Sequence, residues 1–173
     1  STIVQQGTVM TGIGNIDVPL LRTTIIVSGS NDNETLKEIR GKLVNTSSIN
    51  DVKRIKAYLA PDTYDLNIQN ATLLGNATVN STGNFNIKLN NLCHLDNGNH
   101  YIWITADISD MAKEGNTVDL QINSYLRENG NTIYENNGNP EYFATIFLSE
   151  SVVFHPGDNS SRYYRIPAIT TAK

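Results

Sequence analysis

Side chains able to do chemistry are few and scattered in this sequence. His94, His100 and His155 lie in different segments, and none stands at ligand spacing from another histidine or from Cys93. A structural zinc site needs four such ligands, so no metal is expected. Asn31-Asp32-Asn33-Glu34 and Asp96-Asn97-Gly98-Asn99 carry oxygen atoms that calcium would accept, but neither follows Asp-x-Asp-x-Asp-Gly with a closing Glu. Both read as turns held by Asx side chains. Neither a nucleophile elbow nor a phosphate-cradling glycine loop occurs, and no cofactor is expected. Cys93 is the sole cysteine, which excludes an intrachain disulfide, and its leucine neighbours mark a buried thiol. Sequons at Asn33, Asn45, Asn70, Asn76, Asn80 and Asn159 are close to what 23 asparagines produce by chance. Two features remain. In His100–Ile108, strand alternation points Tyr101, Trp103, Thr105 and Asp107 one way and Ile102, Ile104, Ala106 and Ile108 the other. The isoleucine row belongs in a core. The Tyr101–Trp103 row is amphipathic and suits packing, within this domain or against a neighbour, or a stacking platform for a glycan. The second feature is Tyr163-Tyr164-Arg165-Ile166-Pro167-Ala168-Ile169, an apolar run with one arginine and one proline.

The elements that must hold these residues are strands. The chain has 173 residues, 39% of them hydrophobic with 12 glycines besides, which suits one principal domain with a real core. Charged residues are only 17%, below the usual ~25%. Asparagine and hydroxyl side chains must therefore supply much of the polar surface. With net charge -4 and no long basic run, a nucleic-acid surface is excluded. No stretch approaches the ~20 apolar residues of a membrane span. Ten short segments alternate or are rich in β-branched residues: 3–9, 20–27, 36–44, 53–59, 73–79, 84–89, 100–108, 117–125, 132–134 and 142–148. Turn residues separate them, and Asn129-Gly130 should close a hairpin. Leu36, Ile39 and Leu43 also fit helical spacing. Ser48 could cap a short helical turn with Asp51 three residues on, and Met111–Gly115 could form another. The expected class is all-β, an antiparallel sandwich of jelly-roll or immunoglobulin-like form. A boundary is expected near Leu148–Ser151, with residues 1–150 forming the sandwich and 151–173 opening a second unit.

Val153-Phe154-His155-Pro156-Gly157-Asp158 followed by Tyr164-Arg165-Ile166-Pro167-Ala168-Ile169 resembles the start of a bacterial sialidase (neuraminidase) catalytic domain, whose six-bladed propeller opens on an Arg-Ile-Pro strand. Leu95–Ile108, with Ala112, Gly115-Asn116 and Asp119, is similar to the accessory β-sandwich that precedes such propellers in secreted proteins of gut Bacteroidetes. The resemblance implies a secreted, periplasmic or cell-surface exo-α-sialidase as the parent protein. It implies the remaining catalytic propeller and sialylated glycans as partners, and Arg165 as one arginine of the clamp on the sugar carboxylate. A guanidinium suits that role because its planar fork holds a carboxylate through two parallel hydrogen bonds. No Ser-x-Asp-x-Gly-x-Thr-Trp repeat of the propeller blades occurs, and the tyrosine nucleophile and acid/base aspartate of the family have no match in these residues. Residues 1–173 alone are therefore not expected to hydrolyse sialosides. The alternative is a carbohydrate-binding or adhesion sandwich of a secreted bacterial protein.

Overall fold

The structure, a computed structural model, describes residues 2–29, 34–61 and 66–148. Eleven strands are present among them: β1 (Thr2–Gln6), β2 (Met10–Gly12), β3 (Val18–Val27), β4 (Glu34–Val44), β5 (Val52–Ala60), β6 (Thr72–Ala77), β7 (Asn84–Leu95), β8 (Gly98–Ile108), β9 (Thr117–Arg127), β10 (Thr132–Tyr134) and β11 (Ala144–Phe147). They form two sheets. The first has the order β1-β3-β8-β5-β6; the second runs β2-β11-β9-β4-β7, with β10 also on β9. Hairpins join β5 to β6 and β9 to β10, whereas most other connections pass from one sheet to the other. Pairing is antiparallel except that β11 runs parallel to β2. The all-β sandwich expected from the strand pattern is the observed class.

Alternation along each strand sends one row inward. Leu20, Ile55, Ile102 and Ile104 from the first sheet are buried with Ile39, Ile87, Leu120 and Ile122 from the second in one core. Cys93 lies in that core, where burial pushes its thiol up to about 11 and leaves it an inert apolar group. Tyr125 is fully buried and crosses between the sheets: its hydroxyl meets Thr23 Oγ1 at 2.8 Å and donates to Glu135 Oε2 at 3.3 Å. Burial, first among the causes, lifts the Tyr125 phenol well above its usual range.

Local departures from expectation have local causes. The Leu36–Leu43 stretch is strand, and a bulge between Leu36 and Glu38 turns both Leu36 and Ile39 inward. That extra residue imitates helical spacing. Ser48 does cap a 3₁₀ turn, Ile49–Asp51, by accepting the Asn50 N–H. Asp51 instead holds the next connection, accepting from Asn116 Nδ2 at 2.7 Å and the Lys113 N–H at 3.4 Å. Consequently 109–116 forms two β-turns, Ala112 N–H to Ser109 O and Asn116 N–H to Lys113 O, and no helical turn. The Asn129-Gly130 hairpin is present, with Gly130 alone at positive φ (+85°), the pattern of a type I turn followed by a left-handed glycine. Between β10 and β11, Gly138 O accepts the Ile122 N–H, and a Cβ there would lie 1.9 Å from Ile122 O. Only glycine permits that contact. The boundary near 148–151 and the Arg-Ile-Pro strand lie outside the described residues.

Candidate functional site

Three strands set the geometry around the aromatic row. Register places Arg22 of β3 and Tyr58 of β5 on either side of Trp103 in β8, with Lys56 beside Thr105. These side chains occupy the outer face of the first sheet. The Arg22 guanidinium sits 5.9 Å from the Tyr101 ring centroid and 5.8 Å from that of Trp103, within cation–π range, and also donates to Gln5 Oε1. Trp103 is only 6% exposed and packs with Tyr58, Ala60, Leu66 and Ala71. A cleft of about 500 Å³ remains beside it, lined by Gln5, Gln6, Pro19, Arg22, Leu66 and Trp103. Stacking on a sugar needs an open ring face, and Trp103 is buried, with Leu66 and Ala71 packed against its cluster. Of the roles open to this row, packing within the domain is the one its burial supports. Tyr101 is half-buried.

The same face continues into a charged network that sequence reading missed. Lys56 Nζ lies 2.8 Å from Asp17 Oδ1 and 3.0 Å from Asp107 Oδ1. Tyr58 donates its hydroxyl to Asp17 at 2.8 Å, and the Asp17 N–H donates to Asp107 at 3.0 Å. Desolvation works against the Lys56 charge, but bonds to the two carboxylates outweigh it and raise its pKa. Tyr58 is pushed up to about 12, first by burial and then by its bond to Asp17. At neutral pH the lysine is thus a cation and the phenol is neutral. Both shifts oppose nucleophilic or general-base chemistry, which needs the deprotonated form. Asp107 was legible as part of the outward row of β8. Asp17 and Lys56, 39 residues apart, meet only through the fold.

A second cleft, of about 600 Å³, opens on the β4–β7–β9 side and is lined by Arg40, Asn80, Asn84, Phe85, Asn86 and Asn123. Glu38 organises it, accepting from Arg40 Nε and Nη2 at 3.1 and 2.8 Å and from Asn86 Nδ2 at 3.1 Å. Burial opposes the Glu38 charge, yet those donors hold its carboxyl below the usual range. Nearby on the same sheet, Asp119 is fully buried beside Asn45, which donates at 3.2 Å, and its Oδ1 accepts the Leu120 N–H at 2.7 Å. Burial outweighs these donors and pushes Asp119 up to about 6. Among the described residues no group of three or more His, Cys, Asp or Glu is placed to hold a metal ion, and no helix is long and apolar enough to cross a membrane. Arg165, the expected carboxylate ligand, lies outside the described residues.

No family model matches the sequence, and no curated protein matches it. Among solved structures the chain is similar to the Hadza microbial sialidase Hz136, with a TM-score of 0.65 at 14% sequence identity. The match covers 95% of this chain and 34% of that one, so the chain spans about a third of the neighbour's length. At this identity the likeness is one of fold.

Proposed function

We propose that this chain is the accessory β-sandwich, with the first propeller strand, of a secreted bacterial exo-α-sialidase, and that Arg165 joins the clamp on the substrate carboxylate. The observation that carries this reading is the fold likeness to a sialidase over 95% of the chain. It supports the resemblance drawn from Leu95–Ile108 and from the Tyr164-Arg165-Ile166-Pro167 stretch. In this reading hydrolysis belongs to the propeller, and the sandwich contributes folded mass and contact surface. The test is turnover of a 4-methylumbelliferyl sialoside. The full-length polypeptide should hydrolyse it and residues 1–173 alone should not. Arg165→Lys in the full-length protein should mainly raise KM, since lysine keeps the charge and loses the fork. No turnover by the full-length protein overturns the reading.

A carbohydrate-binding role is the second reading, and the amide-lined cleft favours it. Asn86 and Arg40, both held by Glu38, present polar groups in fixed positions beside Asn123, and such groups suit the alternating donors and acceptors of vicinal sugar hydroxyls. Binding of residues 1–173 to a glycan array that is lost with Asn86→Ala and kept with Trp103→Phe would establish it. Absence of binding would remove it.

A further inference from the structure

Three Asn-Gly pairs occur among the described residues, Asn97-Gly98, Asn129-Gly130 and Asn137-Gly138, and the fold treats them differently. Asparagine before glycine is open to attack on its side-chain carbonyl carbon by the following backbone nitrogen, because glycine has no Cβ to shield that nitrogen. At Asn129-Gly130 both reacting groups are tied. Asn129 Oδ1 accepts the Asn131 N–H at 2.9 Å, and the Gly130 N–H donates to Arg127 O at 3.1 Å. At Asn137-Gly138 the glycine is buried, its carbonyl accepts the Ile122 N–H at 3.0 Å, and a Cβ there would overlap Ile122 O. Asn97-Gly98 has neither restraint. Both residues are exposed, and the Asn97 side chain makes no hydrogen bond among the described residues. Gly98 is the terminal residue of the β3–β8 ladder, opposite Val27, where pairing opens most readily. Its φ is +135°, and a Cβ built there would meet no heavy atom within 4 Å apart from its chain neighbours.

We propose that Asn97 is a self-modification site of this chain, converted with Gly98 through a cyclic imide to aspartate and isoaspartate. Solvent base removes the Gly98 N–H proton, and the nitrogen bonds to Asn97 Cγ. The Cγ–Nδ2 bond then breaks, and the nitrogen leaves as ammonia after taking a proton from solvent. Water opens the five-membered ring. Addition at the side-chain carbonyl carbon leaves aspartate, and addition at the main-chain carbonyl carbon leaves isoaspartate, with the chain now running through Cγ. In sum a water is consumed and an ammonia released, with no change of oxidation state. Either product carries a new negative charge beside Asp96, and isoaspartate lengthens the main chain by a carbon in the Asp96-Asn97 link between β7 and β8. Those strands belong to different sheets, so the change falls on a corner that joins them. This chemistry needs no partner protein and is independent of the sialidase reading.

Peptide mass mapping of residues 1–173, held folded in mildly alkaline buffer and sampled over time, tests the assignment. Conversion at Asn97 should run about tenfold ahead of Asn129 and Asn137, since at those pairs the restraining hydrogen bonds must break first. Electron-transfer fragmentation should identify isoaspartate at position 97. In concentrated urea the three rates should converge, because the restraints disappear with the fold. Equal rates in the folded chain, earlier conversion at Asn129 or Asn137, no conversion at Asn97, or a lead of Asn97 that persists unchanged in urea would each overturn the proposal.

Discussion

Trp103 and Met111 are both large apolar side chains outside the central core, and their surroundings are opposite. Trp103, on β8, lies under Leu66 and Ala71 with Tyr58 beside it and is nearly inaccessible. Met111, in the β8–β9 connection, is almost wholly exposed. The first face carries its own cover, and the Asp17–Lys56–Asp107 network extends it with paired charges. Met111 has no comparable cover among the described residues. The difference teaches that strand alternation finds an outward row without showing whether another segment packs on it.

The largest effect expected on the closed side is that of Trp103→Ala, about 3–5 kcal/mol of unfolding free energy by urea denaturation, as for other large-to-small buried changes. Trp103→Phe should lose far less, because the indole Nε1 has no hydrogen-bond partner to forfeit. A Trp103→Ala loss below about 1 kcal/mol would mean that the cover is not packed, and the comparison would break. Lys56→Ala leaves Asp17 and Asp107 facing each other and should cost roughly 2–4 kcal/mol, the upper range belonging to fully buried pairs.

Asp119 extends the same question to the second sheet. Its carboxyl is raised from 3.8 to about 6, so between those values the folded chain holds a proton that the unfolded chain has released. Its stabilising contribution is complete below about pH 3.8 and is lost as pH rises through about 6. Relative to Asp119→Asn, the parent chain should therefore gain roughly 2–3 kcal/mol between pH 7 and pH 4, each tenfold difference in proton affinity being worth about 1.4 kcal/mol. Parallel pH profiles for the two proteins would show that Asp119 is solvated. The smallest effect is expected on the open side, where Met111→Lys should change stability by no more than about 0.5 kcal/mol.

Strand positions were legible because period-two alternation is local: Ile102, Ile104, Ala106 and Ile108 are buried as their spacing implies. Bulges were not, since the extra residue at Lys37 copies helical spacing and shows itself only through pairing with β9. Nor was β2, three residues long and defined by parallel pairing with a strand more than 130 residues away. The site was legible to the level of a row. Tyr101 and Trp103 stand on the outer face as alternation requires, but Leu66 and Ala71, which pack against the Trp103 cluster, come from another segment. The charged network likewise joins β5 to a residue ahead of β3, a proximity that spacing along the chain does not encode.

Hydrogen–deuterium exchange of residues 1–173 tests the contrast between the closed and open faces most directly. Slow exchange along β8 around Tyr101 and Trp103, with fast exchange at residues 109–111, is the predicted result. Exchange along β8 as fast as at 109–111 would contradict it.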